Sequence, residues 1–363
     1  DWKKLETGLL TRHTQVTSRD MFLRAGEQYF NADATWIIFQ AVAVPPAGQA
    51  PDPFYSMYVA KILRDGEGHV KGLGAPIKVS PEASANTCGW FHPVEPWRLI
   101  MGSTLVRPKD DQKSGFRVGD RKYVWQFPDE MEIVSRSVMQ IAEDLRPGDA
   151  RNADVLKAAD ATKCMPVFNK PNYDAECSYS KDGRFILYAH VRDEKTNGRA
   201  DADIWIYDTV TKADRPVVVA NGYDGGPFFS PDGKRICYRS DRKQDDLLQL
   251  YVSELVFDKD GIPTGTTNER QLTSGESVNW APYWHPSGKF LVYGTSEVSH
   301  ANYEIFVVDA SSDKPAGELG KRRVSFATGA DVLPVFSNDG KLMMWCSQRG
   351  PKVAGEEKSS SQV

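Results

Sequence analysis

One sixteen-residue pattern recurs six times along this chain, and no other feature constrains the fold as strongly. The copies occupy residues 24–39, 85–100, 173–188, 223–238, 278–293 and 330–345. In each, an aromatic residue precedes Asn, Ser or His: Phe30-Asn31, Phe91-His92, Tyr179-Ser180, Phe229-Ser230, Trp284-His285 and Phe336-Ser337. Eight residues beyond that polar residue stands a second large apolar one, namely Phe39, Ile100, Tyr188, Tyr238, Tyr293 or Trp345. A fixed internal repeat of this kind is the signature of a modular architecture.

Each copy reads as a strand, a tight turn and a second strand. The triplets Lys181-Asp182-Gly183, Pro231-Asp232-Gly233 and Asn338-Asp339-Gly340 are hairpin chemistry. The Asp carboxylate bonds nearby backbone amides, and Gly accepts the positive φ that other residues resist. Apolar residues cover both faces of the hairpin, so sheets must stack on sheets. Third strands are expected at 55–62, 122–127, 203–208, 249–255 and 304–309, and fourth strands at 76–80, 216–220, 270–274 and 322–328. Four strands per repeat and six repeats describe an all-β, six-bladed β-propeller occupying the whole of 1–363. The copies start 61, 88, 50, 55 and 52 residues apart, so the long second interval carries insertions. These are a charged loop at 107–121 and a partly helical excursion at 135–165, both in blade two. The last copy lacks room for a full blade. Residues 359–363 are expected as its third strand and the N-terminal strand at 11–17 as its outer one, closing the ring so that no edge is exposed. The polar tail over 351–363 is expected to be mobile.

Composition narrows the function classes. Lys plus Arg total 45 against 49 for Asp plus Glu, a net charge of −4. A nucleic-acid binder would carry a basic surplus. No run of 18 apolar residues exists, so no segment reads as a membrane span. The five cysteines, at 88, 164, 177, 237 and 346, show no zinc or redox spacing and read as small buried hydrophobes. The chain opens on Asp1 with no leader-like segment, which fits either a removed export signal or an arbitrary boundary.

Residues 174–188 (DAECSYSKDGRFILY), 224–238 (DGGPFFSPDGKRICY), 280–293 (WAPYWHPSGKFLVY) and 331–345 (DVLPVFSNDGKLMMW) resemble the PD40 (WD40-like) repeats of the TolB-like propeller family. The resemblance covers 165–350 well and 20–105 weakly. It implies a bacterial, exported and often periplasmic propeller that docks partner proteins. The smaller α/β domain that accompanies the propeller in TolB has no room before the first repeat. The same repeats occur in prolyl-oligopeptidase-like peptidases, whose hydrolase domain needs a Gly-x-Ser-x-Gly elbow; none occurs here.

Two sets of residues are candidates for function. Asn86, Asp174, Asp224, Asn279 and Asp331 stand five residues before the first aromatic of their repeats, where the first copy has Ala25. At the starts of innermost strands they would surround one mouth of a central channel. Oxygen ligands there could hold a hard cation such as Ca2+ or attract a basic peptide. The plainer alternative is that they cap turns. His92 and His285, in the Ser slot of their repeats, read as turn residues rather than a metal or acid–base pair. In the blade-two excursion, Val138, Ile141 and Leu145 fall on one face at helical spacing, flanked by Glu143 and Asp144. That element is expected either to dock a partner or to fold onto blade two. A second short helix is expected over 153–159. With no catalytic motif and no cofactor fingerprint, the sequence favours a non-catalytic protein-binding or assembly propeller, exported and part of a larger complex, with no resident cofactor. The alternative is a propeller enzyme of the lyase, lactonase or glycosidase type with a divalent metal in its channel.

Overall fold

In the computed structural model, residues 1–109, 115–117, 122–124, 128–144, 163–196, 199–353, 355–356 and 358–363 are described. The inner turns show why the repeat folds alike each time. Asp182, Asp232 and Asp339 each accept a bond from the backbone amide two residues on, at 3.1, 3.1 and 3.0 Å. The glycines that follow have φ of 77°, 70° and 70°. Ser180, Ser230 and Ser337 then accept the amide of the residue opening the second strand, at 2.9, 2.9 and 3.0 Å. Donor, acceptor and left-handed glycine recur at one spacing, so the same hairpin forms.

A short helix, α1 (Trp2–Glu6), precedes the first sheet. That sheet runs β1 (Phe22–Phe30), β2 (Trp36–Ala43) and β3 (Ser56–Arg64), with β4 (Val70–Leu73) and β5 (Ile77–Lys78) both paired to β3. In the second, β6 (Asn86–Phe91) and β7 (Arg98–Ser103) are followed by a separate hairpin, β8 (Gly115–Arg117) with β9 (Lys122–Val124). The sheet then resumes with β10 (Glu132–Ser137) and β11 (Met165–Pro166), separated in the chain by α2 (Met139–Glu143). The third sheet is β12 (Asp174–Tyr179), β13 (Phe185–Thr196), β14 (Arg199–Asp208) and β15 (Asp214–Val218). The fourth is β16 (Asp224–Phe229), β17 (Arg235–Ser240), β18 (Gln249–Phe257) and β19 (Pro263–Gln271). The fifth is β20 (Asn279–Trp284), β21 (Phe290–Ser299), β22 (Asn302–Asp309) and β23 (Lys321–Arg323). A two-stranded sheet, β24 (Asp331–Phe336) with β25 (Met343–Ser347), comes last.

Neighbouring sheets pack in chain order, and both β24 and β25 touch β1, so the arrangement returns on itself. This is an all-β, propeller-like array with five blades and one further hairpin. Its core lies between sheets. Phe185, Leu187, Ile204 and Ile206 of the third meet Ile236, Tyr238, Tyr251 and Leu255 of the fourth. Cys237, Leu250 and Val252 of the fourth meet Trp284, Leu291 and Tyr293 of the fifth. Each such side chain, buried on folding, contributes roughly 1.5–3 kcal/mol.

Blade two departs from expectation. Its third strand is Glu132–Ser137, not 122–127. Lys122–Val124 instead pairs with Gly115–Arg117 inside the segment expected to be loop, and 125–127 lie outside the described residues. β10 pairs with β7 along its whole length, and its consecutive Ile133 and Val134 are fully buried. The tail expected to be mobile is tied down at its end: Ser359, Gln362 and Val363 are buried. Ser347 and Gln362 exchange backbone bonds of 2.7 and 2.9 Å.

Candidate functional site

A backbone irregularity common to all six inner strands builds the site. Two residues after each strand start, φ turns positive: Glu27 (47°), Cys88 (51°), Glu176 (59°), Gly226 (58°), Ala281 (52°) and Leu333 (55°). The pairing register slips at the same place in every inner hairpin. These are β-bulges, which re-aim a side chain at a local cost that the surrounding sheets must hold in place. The bulges in the first four sheets converge.

Glu27 Oε2 accepts a bond from Thr87 Oγ1 at 2.9 Å, and its Oε1 accepts one from the Cys88 thiol at 2.8 Å. Glu176 accepts from Tyr223 Oη at 2.6 Å and from Arg239 Nη2 at 3.0 Å. Arg239 also donates to Tyr223 Oη at 2.7 Å, and its guanidinium lies 5.5 Å from the Tyr223 ring centre and 6.0 Å from that of Trp280. Gly226 makes room for this cation, since a Cβ there would run into the guanidinium. Five sheets thus contribute to one polar cup. Burial pushes the Glu27 carboxyl up from its ordinary value, against the lowering by its Cys88 and Thr87 bonds. Burial, with Glu27 beside it, also pushes the Cys88 thiol well up, so it remains a protonated donor rather than a nucleophile. Arg239 balances Glu176, whereas the hydrogen-bond partners of Glu27 are neutral.

Two residues past the bulges, the axis is closed. Tyr29, Trp90, Phe228 and Tyr283 come from four different sheets, with ring centres 4.8 Å apart for Tyr29–Trp90, 5.4 Å for Trp90–Phe228 and 5.2 Å for Phe228–Tyr283. The cup is therefore blind, polar above and aromatic below.

All five strand-start residues are buried, and each has partners within the fold. Asp174 meets His190 Nδ1 at 2.9 Å, Asp224 meets Arg242 Nη2 at 3.1 Å, and Asp331 meets Arg349 Nη2 at 2.7 Å. Asn86 donates to the carbonyl of Tyr55 at 3.0 Å, and Asn279 donates to Gln249 Oε1 at 3.0 Å, both in the preceding sheet. These bonds join strands. Burial still pushes Asp224 up to about 6, against the attraction of Arg242. The sequence held a sign of this pairing. Arg192, Arg242 and Arg349 stand 18 residues after Asp174, Asp224 and Asp331, while Thr104 and Glu297 stand at that spacing from the two Asn. Arg242 and Arg349 bind those aspartates directly. Arg192 binds Asp201 and Asp203 at 2.8 Å each, leaving Asp174 to His190. A buried carboxylate needs a cation and a buried amide does not.

The blade-two helix packs against the first two sheets. Val138 and Ile141 are buried in the chain's own core between the first two sheets, so they are not available to a partner. Glu143 is exposed and Asp144 pairs with Lys61 at 2.9 Å; Leu145 and the helix expected over 153–159 lie outside the described residues. His92 Nδ1 accepts the amide of Glu95 at 3.0 Å, and His285 Nδ1 that of Ser287 at 3.1 Å, so both cap their own turns. No group of three or more His, Cys, Asp or Glu side chains able to hold a metal ion is found among the described residues.

No family model matches the chain. It is 27% identical over 179 residues to the Tol-Pal system protein TolB of Wolinella succinogenes, a match covering 48% of this chain and 37% of the relative. It is 27% identical over 118 residues to the uncharacterized peptidase YuxL of Bacillus subtilis, covering 32% of this chain and 16% of that one. The chain thus matches well under half the length of these curated relatives. Its backbone is similar to TolB from Acinetobacter baumannii, with a TM-score of 0.52 at 13% identity over 93% of this chain and 80% of that one. A putative TolB from Agrobacterium tumefaciens gives a TM-score of 0.50 at 14% identity over 88% and 90%. No helix among the described residues is long and apolar enough to cross a membrane. Repeats, relatives and backbone agree on an all-β, propeller-like fold similar to that of TolB.

Proposed function

We propose that this chain is a non-catalytic protein-binding or assembly propeller, exported to the periplasm as a subunit or accessory factor of a larger complex. The observation that carries the reading is the blind cup of Glu27, Glu176 and Arg239 over the aromatic floor. A channel plugged in this way passes nothing through; it accepts a group inserted from one face. Register supports that face as the docking side. The pairs Asn86↔Ser103, Asp174↔His190, Asp224↔Ser240 and Asn279↔Thr295 set those second-strand residues level with the start of the first strand. The second strand ends at that level in the second and fourth sheets, whereas β13 and β21 run on to Thr196 and Ser299. In the first sheet the connection from second to third strand includes the exposed residues 45–53, rich in Pro and Gly, and in the second it includes the hairpin β8–β9. Variable connections on a rigid ring are a common place for recognition. Similarity to the Tol-Pal system protein TolB supports assembly with other proteins and export.

The reading includes a sixth blade. The hairpin β24–β25 gains a third strand from the bridge of Gln362 to Ser347, and a fourth from Val16 and Thr17, whose amides donate to Val363 O at 2.8 and 3.1 Å. Closure by segments from both ends of the chain would leave no open sheet edge.

The test is capture from a native extract with the wild type and Glu27→Arg, followed by identification of bound chains. The expected result is a fixed partner held by the wild type and lost by the variant at unchanged melting temperature. Equal capture by both, or turnover of a small substrate by the isolated chain, overturns the reading. The enzyme alternative rested on the Asp/Asn strand starts, whose partners include His190, Arg242, Arg349, the Gln249 side chain and the Tyr55 carbonyl.

A further inference from the structure

A partly open pocket lies away from the cup, in the wedge between the first sheet and the β24–β25 hairpin. Residues 9–16 cross over it without regular secondary structure. The cavity measures about 1050 Å3. That is at the upper end of the roughly 300–1,000 Å3 typical of small-molecule sites. Elsewhere the wedges between blades are filled by apolar side chains, as between the third and fourth sheets. Here Phe30, Ile37, Ile62, Leu73, Phe336 and Met344 line a space that they do not fill. Ile37, Ile62 and Met344 are buried, which sets the apolar end on the inside.

The outer end is charged. Lys3, Arg12, Arg64 and Lys341 line it, and all four are exposed. Its carboxylates are engaged locally. Asp33 Oδ1 accepts the Thr35 amide at 3.1 Å, Asp339 Oδ1 accepts Ser337 Oγ at 2.7 Å, and Glu67 lies 3.3 Å from His69 Nδ1. Arg12 donates to His69 Nε2 at the opening, while Arg64 donates to the carbonyls of Ala34 and Gly68 at 3.0 and 2.9 Å. Lys341 approaches Asp339 only to 3.9 Å. An apolar interior behind a cationic rim is complementary to one kind of small molecule.

We propose that this cavity binds a single-chain anionic amphiphile, the hydrocarbon entering between the sheets and the anionic head meeting Arg12 and Lys341. Neither the polar cup nor the proposed partner takes part. The chain then carries two separable sites, one axial and one at the closing wedge.

Laurate below its micellar concentration is the probe, read by calorimetry and by the fluorescence of Trp2 and Trp345, which line the cavity. One laurate per chain is expected, with dodecyltrimethylammonium binding at least tenfold more weakly. Arg12→Glu with Lys341→Glu should weaken laurate about tenfold and narrow or reverse that preference. Leu73→Trp, which fills the space, should abolish binding of both, while circular dichroism and melting show the fold intact. Should Leu73→Trp fail to fold, Leu73→Phe and the charge variant still decide. No saturable laurate binding, equal affinity for the two amphiphiles, or undiminished binding in folded variants overturns the proposal.

Discussion

The strand-start positions and the bulge positions lie two residues apart in every inner strand, yet they do opposite work. Strand starts are chemically uniform, Asp or Asn in five copies, and the fold consumes them. Asp331 is gripped by Arg349, which also meets Glu6 of α1 at 2.8 Å. Bulge positions are chemically mixed, holding Glu, Cys, Glu, Gly, Ala and Leu in turn. Uniformity here reports a structural job repeated in each blade. Diversity reports a place where the repeated scaffold leaves the side chain undetermined. For a propeller the second kind of position is the better guide to what is recognised.

Four experiments would break or sharpen that contrast. The largest effect is expected from Arg349→Ala. It leaves Asp331 and Glu6 buried without their cation, and loss of one partner from a buried charge pair costs about 3–5 kcal/mol. Melting temperature should fall by about 5 °C; an unchanged melt would show that the strand-start network is dispensable. Next comes Gly226→Ala, which places a Cβ against Arg239 at φ 58°. It should cost about 2 kcal/mol by denaturant titration and abolish partner capture, because the guanidinium must leave the cup. Full capture would mean that Arg239 does not shape the site.

Glu27→Gln should change stability by less than about 1 kcal/mol, since Cys88 can still donate to the amide oxygen while the Thr87 hydroxyl turns to accept from its NH2. A loss as large as that of Arg349→Ala would erase the difference between the two sets of positions. The smallest effect concerns pH. Burial, with Asp174 nearby, pushes Glu132 up to about 7 from an ordinary 4.5, and burial pushes Asp203 up to about 6 from 3.8. The folded state holds these protons more tightly than the unfolded chain, so their contribution is full below about pH 4 and is lost as pH rises through 6 and 7. Thermal melts should therefore fall between pH 5 and 8, and Glu132→Gln should make that fall shallower. An identical slope would remove Glu132 as its source.

Much of the architecture was legible before any coordinates. The aromatic–Ser pairs and the Asp-Gly turns read directly as hairpins, because turn chemistry is local and each hairpin carries its own instructions. Blade two was less legible. Lys122–Val124 has strand-like residues, and only pairing partners decide between the main sheet and a side hairpin. The α2 stripe was readable as helical, but whether Val138 and Ile141 met a partner or the chain's own core depended on the gap between the first two sheets. The aspartates of the strand starts looked like a ligand-binding group until their arginines were seen 18 residues on, directly beside them in two of the three blades.

By itself, the sequence determined the repeat, the turns and the all-β class, since all of these follow from contacts between residues near in the chain. Only the tertiary structure decided that Glu27, Cys88, Glu176 and Arg239 share one cup. They lie in four different sheets, and the bulges that aim three of them inward are backbone conformations that no residue type at those positions announces. Convergence on an axis is a property of the closed ring, so no single repeat could reveal it.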